Sequence, residues 1–263
     1  MNRSLLAALA LALLTALGAA AQESQGPGPS PSPEGASLSA EEIVARYVAA
    51  RGGAERWAGV RTLRAIGSYS AFSFKNDFTL IRARGDLYRL DFEMLQAPAV
   101  RARDAEGVWA LDKLLWPEPT RVGDTPYAPQ LERDAVFGSL LFNYEEREVT
   151  IALIGPGDID GIATLGLAVT LPDGREETWH LDAETYLEVA VEMEVVDFTQ
   201  ASEPVHQRTF FDDFRPVDGL VLPHWVEQEF NHRLESMTIE HWEVNPELAA
   251  ESFTPARTSP STD

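Results

Sequence analysis

The sequence contains no cysteine. This excludes a disulfide framework, and it excludes lipid attachment through an N-terminal cysteine. In an oxidising compartment the fold must therefore rest on a packed core. Beyond Leu17 the sequence also lacks any apolar run approaching the ~20 residues that span a bilayer. Basic residues are scarce, with 21 Lys and Arg against 42 Asp and Glu, for a formal charge of −21. A chain this acidic repels phosphate backbones and anionic lipid headgroups, so nucleic-acid binding and electrostatic membrane docking are set aside. A solvated acidic surface accounts for most of the carboxylates.

Catalytic signatures are missing as well. The histidines stand at 180, 206, 224, 232 and 241, and no two have the three-to-five-residue spacing that sets metal ligands on one helix face. Only strand pairing could bring His232 and His241 together. There is no Gly-x-Ser-x-Gly elbow, since the segment Phe137-Gly138-Ser139-Leu140 lacks the second glycine. Gly155 to Gly161 reads GPGDIDG, without the register of a phosphate loop or the third carboxylate of a calcium loop, so a turn or bulge between strands is expected. Asp212 and Asp213 are adjacent, and adjacent strand residues face opposite ways, so they should not share a site. No enzyme activity, metal or cofactor is expected.

At the N-terminus a basic head, Asn2-Arg3, precedes an apolar run from Leu5 to Leu17 and the small residues Gly18 to Ala21. This is the pattern of a secretory signal peptide over residues 1–21, cleaved near Ala21. The mature protein is then expected in the periplasm, free of a lipid anchor. Residues 22–37 are rich in Pro, Gly and Ser and read as a disordered linker. One domain is expected over residues 38–256, followed by a disordered tail at 257–263.

The domain opens with a capping box, Ser39 and Glu42, ahead of Ile43, Val44, Tyr47 and Val48 on one helical face, and Gly52-Gly53 supplies the stop. A short second helix over Ala54 to Ala58 presents Trp57. From Thr62 the pattern alternates, most strictly in Tyr88 to Met94 and Leu187 to Val195, and less cleanly around Phe78 to Arg84. Turn signals at Gly85-Asp86, Glu106-Gly107, Asp173-Gly174 and Asp218-Gly219 have the spacing of an antiparallel meander. Between Pro117 and Arg147 the alternation breaks, and Pro129, Leu131, Ala135, Gly138 and Phe142 suggest a helical insertion lying across the sheet. Roughly ten strands with one dry face must curl, giving an incomplete barrel closed by helices. The large aromatics Phe72, Phe74, Tyr88, Phe92, Trp109, Trp116 and Trp179 are core candidates. A curled sheet backed by few helices can also leave an apolar cavity among them.

The segment FDDFRPVDGLVLP, Phe211 to Pro223, resembles the signature of outer-membrane lipoprotein-sorting proteins, the LolA/LolB-like periplasmic lipoprotein carrier superfamily. The opening LSAEEIVARYVAARGGAERWAGVRTLRAIGSYS, the stretch WHLDAETYLEVAVEMEV and the closing WEVNPELAAESFTPA are similar to the same family. The resemblance implies a mainly β (α+β) fold, a curved antiparallel half-barrel of about eleven strands with helices closing the concave face. It implies a carrier or chaperone for the acyl chains of lipids or lipoproteins. The alternative is a periplasmic sensor or regulator of the same fold that detects lipoproteins or misfolded envelope proteins through a membrane partner protein. A monomer is expected. The ligand-lining candidates are the apolar members of the alternating strands: Tyr88, Leu90, Phe92, Met94, Val189, Val191 and Met193.

Overall fold

The Ser39 capping box forms as read: Ser39 Oγ accepts from the Glu42 backbone at 3.2 Å, and the Glu42 carboxylate accepts from the Ser39 N–H at 2.8 Å. It starts helix α1, Ala40–Ala50, which buries Ile43, Val44 and Tyr47. The structure is a computed structural model that describes residues 38–196, 204–230 and 233–255. The expected leader 1–21, linker 22–37 and tail 257–263, together with His232, lie outside the described residues.

After α1 the chain turns through Gly52 at φ +112°, where a side chain would meet the Gly219 carbonyl at 2.5 Å. Helix α2, Ala54–Ala58, follows and buries Trp57. Among the described residues, thirteen strands then form one antiparallel sheet. Six belong to the N-terminal arm: β1 Thr62–Ala71, β2 Phe74–Ala83, β3 Leu87–Met94, β4 Ala97–Asp104, β5 Gly107–Asp112 and β6 Trp116–Arg121. Helix α3, Ala128–Ala135, comes next. The other seven strands are β7 Thr150–Ile159, β8 Ile162–Thr170, β9 Glu176–Asp182, β10 Glu188–Val196, β11 Pro204–Val217, β12 Leu220–Phe230 and β13 Arg233–Val244.

The order β6-β5-β4-β3-β2-β1-β13-β12-β11-β10-β9-β8-β7 is two meanders joined where β1 pairs with β13. The free edges, β6 and β7, are consecutive in sequence. Their connection, which carries α3, therefore crosses the concave face from one arm to the other. Tyr127 at its start receives a hydrogen bond from Arg101 on β4 (3.0 Å), while Arg133 near its end pairs with Glu177 on β9. Both arms thus face one helix, and the sheet is an open half-barrel.

Thirteen strands exceed the expected eleven. One reason is β6, which the sequence pattern assigns to the helical insertion. Pro117 and Pro119 hide its alternation, and they are tolerated because β6 is an edge strand. The helix of the insertion is shorter than expected. It ends at Ala135, and Gly138 (φ +80°) begins turns that carry Phe142 onto Trp57 and Tyr47 with ring centroids 4.8 and 5.6 Å away. Phe142 thereby joins the core under the N-terminal arm to the one under α1.

The convex face is not uniformly wet. Ile81 and Ala83 pack against Phe253 of the 3-10 turn Ala250–Phe253, and Trp109 donates to the Phe253 carbonyl at 2.9 Å. This second covered face explains why alternation is blurred in β2. The GPGDIDG segment is a bulge at Gly155 and a β7–β8 turn at Asp160-Gly161, as expected.

Candidate ligand cavity

The concave face holds a cavity of about 300 Å³, at the small end of ligand pockets, which span ~300–1,000 Å³. Strand pleating supplies its wall. In β3 the alternation is obeyed strictly, and Tyr88, Leu90, Phe92 and Met94 all line the cavity. Leu80 and Arg82 of β2 stand beside them, with Met237 and Ile239 of β13 and Val226 and Phe230 of β12 beyond.

On the C-terminal arm, Val191 and Met193 of β10 line the cavity, but Val189 does not. A bulge between Glu188 and Ala190 shifts the register, so Glu188 takes the inward position that strict alternation assigns to Val189. Val189 is displaced from the lining for that reason. The expectation for the aromatics also divides. Tyr88, Phe92 and Trp179 line the cavity, whereas Trp109 is buried against the convex face and Trp116 stacks on Tyr127 at 5.8 Å. Phe72 and Phe74 are exposed at the β1–β2 turn.

Opposite ends of the cavity differ in chemistry. At one end α1 and α2 close over the turns β2–β3 and β11–β12. Arg56 donates to the Asp218 carbonyl at 2.5 Å, and Arg84 to those of Val60 (2.7 Å) and Trp57 (2.6 Å). Here Arg51 forms a buried ion pair with Glu188 and donates to the Tyr47 hydroxyl at 3.0 Å. Burial would lower the Arg51 pKa, but Glu188 and Tyr47 outweigh it and the net shift is upward. Glu188 Oε2 is buried without a hydrogen-bond partner among the described residues.

At the other end the last residues of three strands, Met94, Val196 and Phe230, line the cavity. Beside them are exposed apolar side chains at the turns of the same end: Phe72, Phe74, Leu95, Leu114, Leu115 and Leu234. Two of these turns, Phe72-Ser73 and Leu95-Gln96, adopt positive φ of 51° to 68° without a glycine or asparagine, a conformation rare for large side chains.

The wall beneath α3 is polar. Asp134 lines the cavity and accepts from Gln130 at 3.0 Å. Burial raises its pKa to about 6 against the pull of Arg133 and Arg82. Arg101 pairs with Asp112 at 3.3 Å, and Tyr69 with Glu235. Burial also pushes the phenols of Tyr47, Tyr69 and Tyr88 upward, so they stay neutral.

The remaining polar candidates lie elsewhere. Strand pairing brings His180 and His206 to the Glu192 carboxylate at 3.4 and 3.5 Å, a meeting that linear spacing does not reveal. No group of three His, Asp or Glu residues among the described residues is placed to hold a metal ion. Asp213 leaves the strand pattern at φ +54°, donates its N–H to Asp212 at 2.6 Å, and pairs with Arg215 at the surface. The β11–β12 register runs unshifted past both residues, and both are exposed.

No family model and no curated relative matches this sequence. Solved structures do. An outer membrane lipoprotein-sorting protein domain from Vibrio parahaemolyticus superposes with TM-score 0.53 at 12% identity, covering 81% of this chain and 95% of that one. A LolA superfamily protein from Nitrosomonas europaea gives 0.52 at 10% identity, over 83% and 98%. The fold is LolA-like. A DUF1329 family protein from Desulfovibrio piger gives 0.51 at 13% identity, over 82% and 97%. In this LolA-like sheet the segment Phe211 to Pro223, which carries the family resemblance, forms the β11–β12 hairpin. Its Asp218-Gly219 turn has φ of 47° and 79°. The signature thus marks the hairpin on which α1 and α2 rest.

Proposed function

We propose that this protein is a carrier or chaperone that takes up the acyl chain of a lipid or lipoprotein in the half-barrel cavity. The observation that carries the reading is the cavity itself: an unfilled interior, apolar along β3 and β10, inside a LolA-like sheet. An alkyl chain buried there gains up to ~0.8 kcal/mol per methylene. The apolar side chains exposed beside Met94 and Phe230 supply a mouth through which such a chain enters. The protein works without catalysis, as a monomer in the periplasm. A leader over residues 1–21 is removed on export, a linker spans 22–37, the carrier domain spans 38–256, and a tail spans 257–263. The lipoprotein-sorting description of the Vibrio parahaemolyticus domain supports this reading.

The test is binding of a fluorescent fatty acyl probe. Phe92 packs on Tyr69 with ring centroids 4.9 Å apart at the cavity wall, whereas Asp91 is bound to Arg89 on the outer face. A carboxylate at position 92 must be desolvated without a partner and repels an alkyl chain. Phe92→Glu is therefore expected to lose probe binding, and Asp91→Ala to keep it within about twofold. Circular dichroism checks that both variants are folded. A folded Phe92→Glu protein that binds like the parent would falsify the assignment of this strand to the ligand.

A further inference from the structure

Four arginines line the cavity: Arg51, Arg82, Arg101 and Arg133. Three have carboxylate partners, in Glu188, Asp112 and Glu177 respectively. Arg82 has none within ion-pairing distance among the described residues. Its Nη1 donates to the Val136 carbonyl at 3.0 Å, and its guanidinium lies over the Tyr88 ring at 5.1 Å. Arg82 is half-buried and lines the cavity. A guanidinium stays charged at every physiological pH, and drawing it partly out of water is costly unless something neutralises it. Burial draws the Arg82 pKa down, and Tyr88 and Asp134 only partly offset this. Asp134, the cavity acid near Arg82, is bound by Gln130 and, although burial raises its pKa to about 6, is largely ionised at neutral pH; it forms no ion pair with Arg82 among the described residues.

We propose that the ligand is an amphiphile with a single anionic head group, carboxylate or phosphate, seated on Arg82, with its alkyl chain running along β3 toward Met94. This rests on the carrier reading above and specifies the class of ligand. The path is apolar: Leu80 adjoins Arg82 on β2, and Leu90, Phe92 and Met94 continue it on β3. From Tyr88, the cross-strand partner of Arg82, to Met94 the strand rises ~20 Å, the scale of a long acyl chain. The head thus lies under α3 and the chain end at the apolar mouth. A charge-assisted hydrogen bond in such a setting is stronger than a neutral one, so the head group should contribute selectivity that the apolar wall cannot.

The experiment compares dodecanoate, dodecyl phosphate and the neutral dodecanol as ligands of the full protein, by calorimetry. The parent should bind at least one of the two anions tenfold or more tightly than the alcohol, and which one is preferred identifies the head group. Arg82→Gln should bring the anion-to-alcohol affinity ratio to within about twofold of one, and Arg82→Lys should keep most of the preference. Equal binding of anions and alcohol by the parent overturns the head-group assignment and leaves the carrier reading standing. An equal loss of all three ligands in a folded Arg82→Gln protein does the same. No binding of any of the three by the parent overturns both.

Discussion

Asp134 shows how the cavity wall shifts a single group. Burial on the cavity side of α3 raises its pKa from 3.8 to about 6, although Arg133 and Arg82 pull it down. The folded state therefore binds this proton more tightly than the unfolded chain. The stability it contributes is complete below about pH 3.8 and is lost as pH rises through about 6. Asp134→Asn removes the titration and keeps the shape. The variant should melt above the parent at pH 8, by on the order of 3 °C, and the gap should close as pH falls below about 4. A gap that does not change with pH would show that Asp134 titrates as an ordinary surface acid. Polar partners of single residues are the part of the site least legible in linear order. The unpaired state of Arg82 depends on which carboxylates the fold brings near each arginine, and in a chain with 42 acidic residues nothing in linear order decides that. Tyr88 to Met94, by contrast, was legible because strict alternation places each side chain on a known face.

At the scale of elements, the Arg51–Glu188 pair ties α1 to β10, and Arg51 Nε also donates to the Val221 carbonyl of β12 at 2.8 Å. Both side chains of the pair are 6% exposed. Removing one partner strands the other charge, so Glu188→Ala should cost ~3–5 kcal/mol in urea unfolding. Replacing both, by Arg51→Met with Glu188→Leu, should cost less than Glu188→Ala alone. A single variant within ~1 kcal/mol of the parent would mean that solvent screens the pair. The bulge that turns Glu188 inward is also why Val189 was misread: an inserted residue inverts the faces on one side of it, and no local composition announces it. Elements ending in Gly-containing turns were found, among them the β11–β12 hairpin. The Phe72-Ser73 and Leu95-Gln96 turns carry no glycine, proline, asparagine or aspartate, and β6 hides behind its prolines, so the strand count from sequence is low.

The whole molecule follows from one topological fact: the free edges β6 and β7 are joined by the segment that carries α3. The connection has to cross the concave face, so the sheet cannot fill its own interior and a lidded cavity results. The class of fold was legible because hairpin spacing and a single dry face require a curled sheet. The polar wall under α3 was not, because it is assembled from β2, β4, β9 and the crossing segment together. A carrier built this way should retain its cargo. Native mass spectrometry of the protein purified from its own cell envelope should show one added mass per chain, matching an amphiphile with an acyl chain, which mild organic extraction removes and the extract restores. Protein that emerges at its bare polypeptide mass, and stays so after incubation with the total lipid extract of that envelope, would contradict the account.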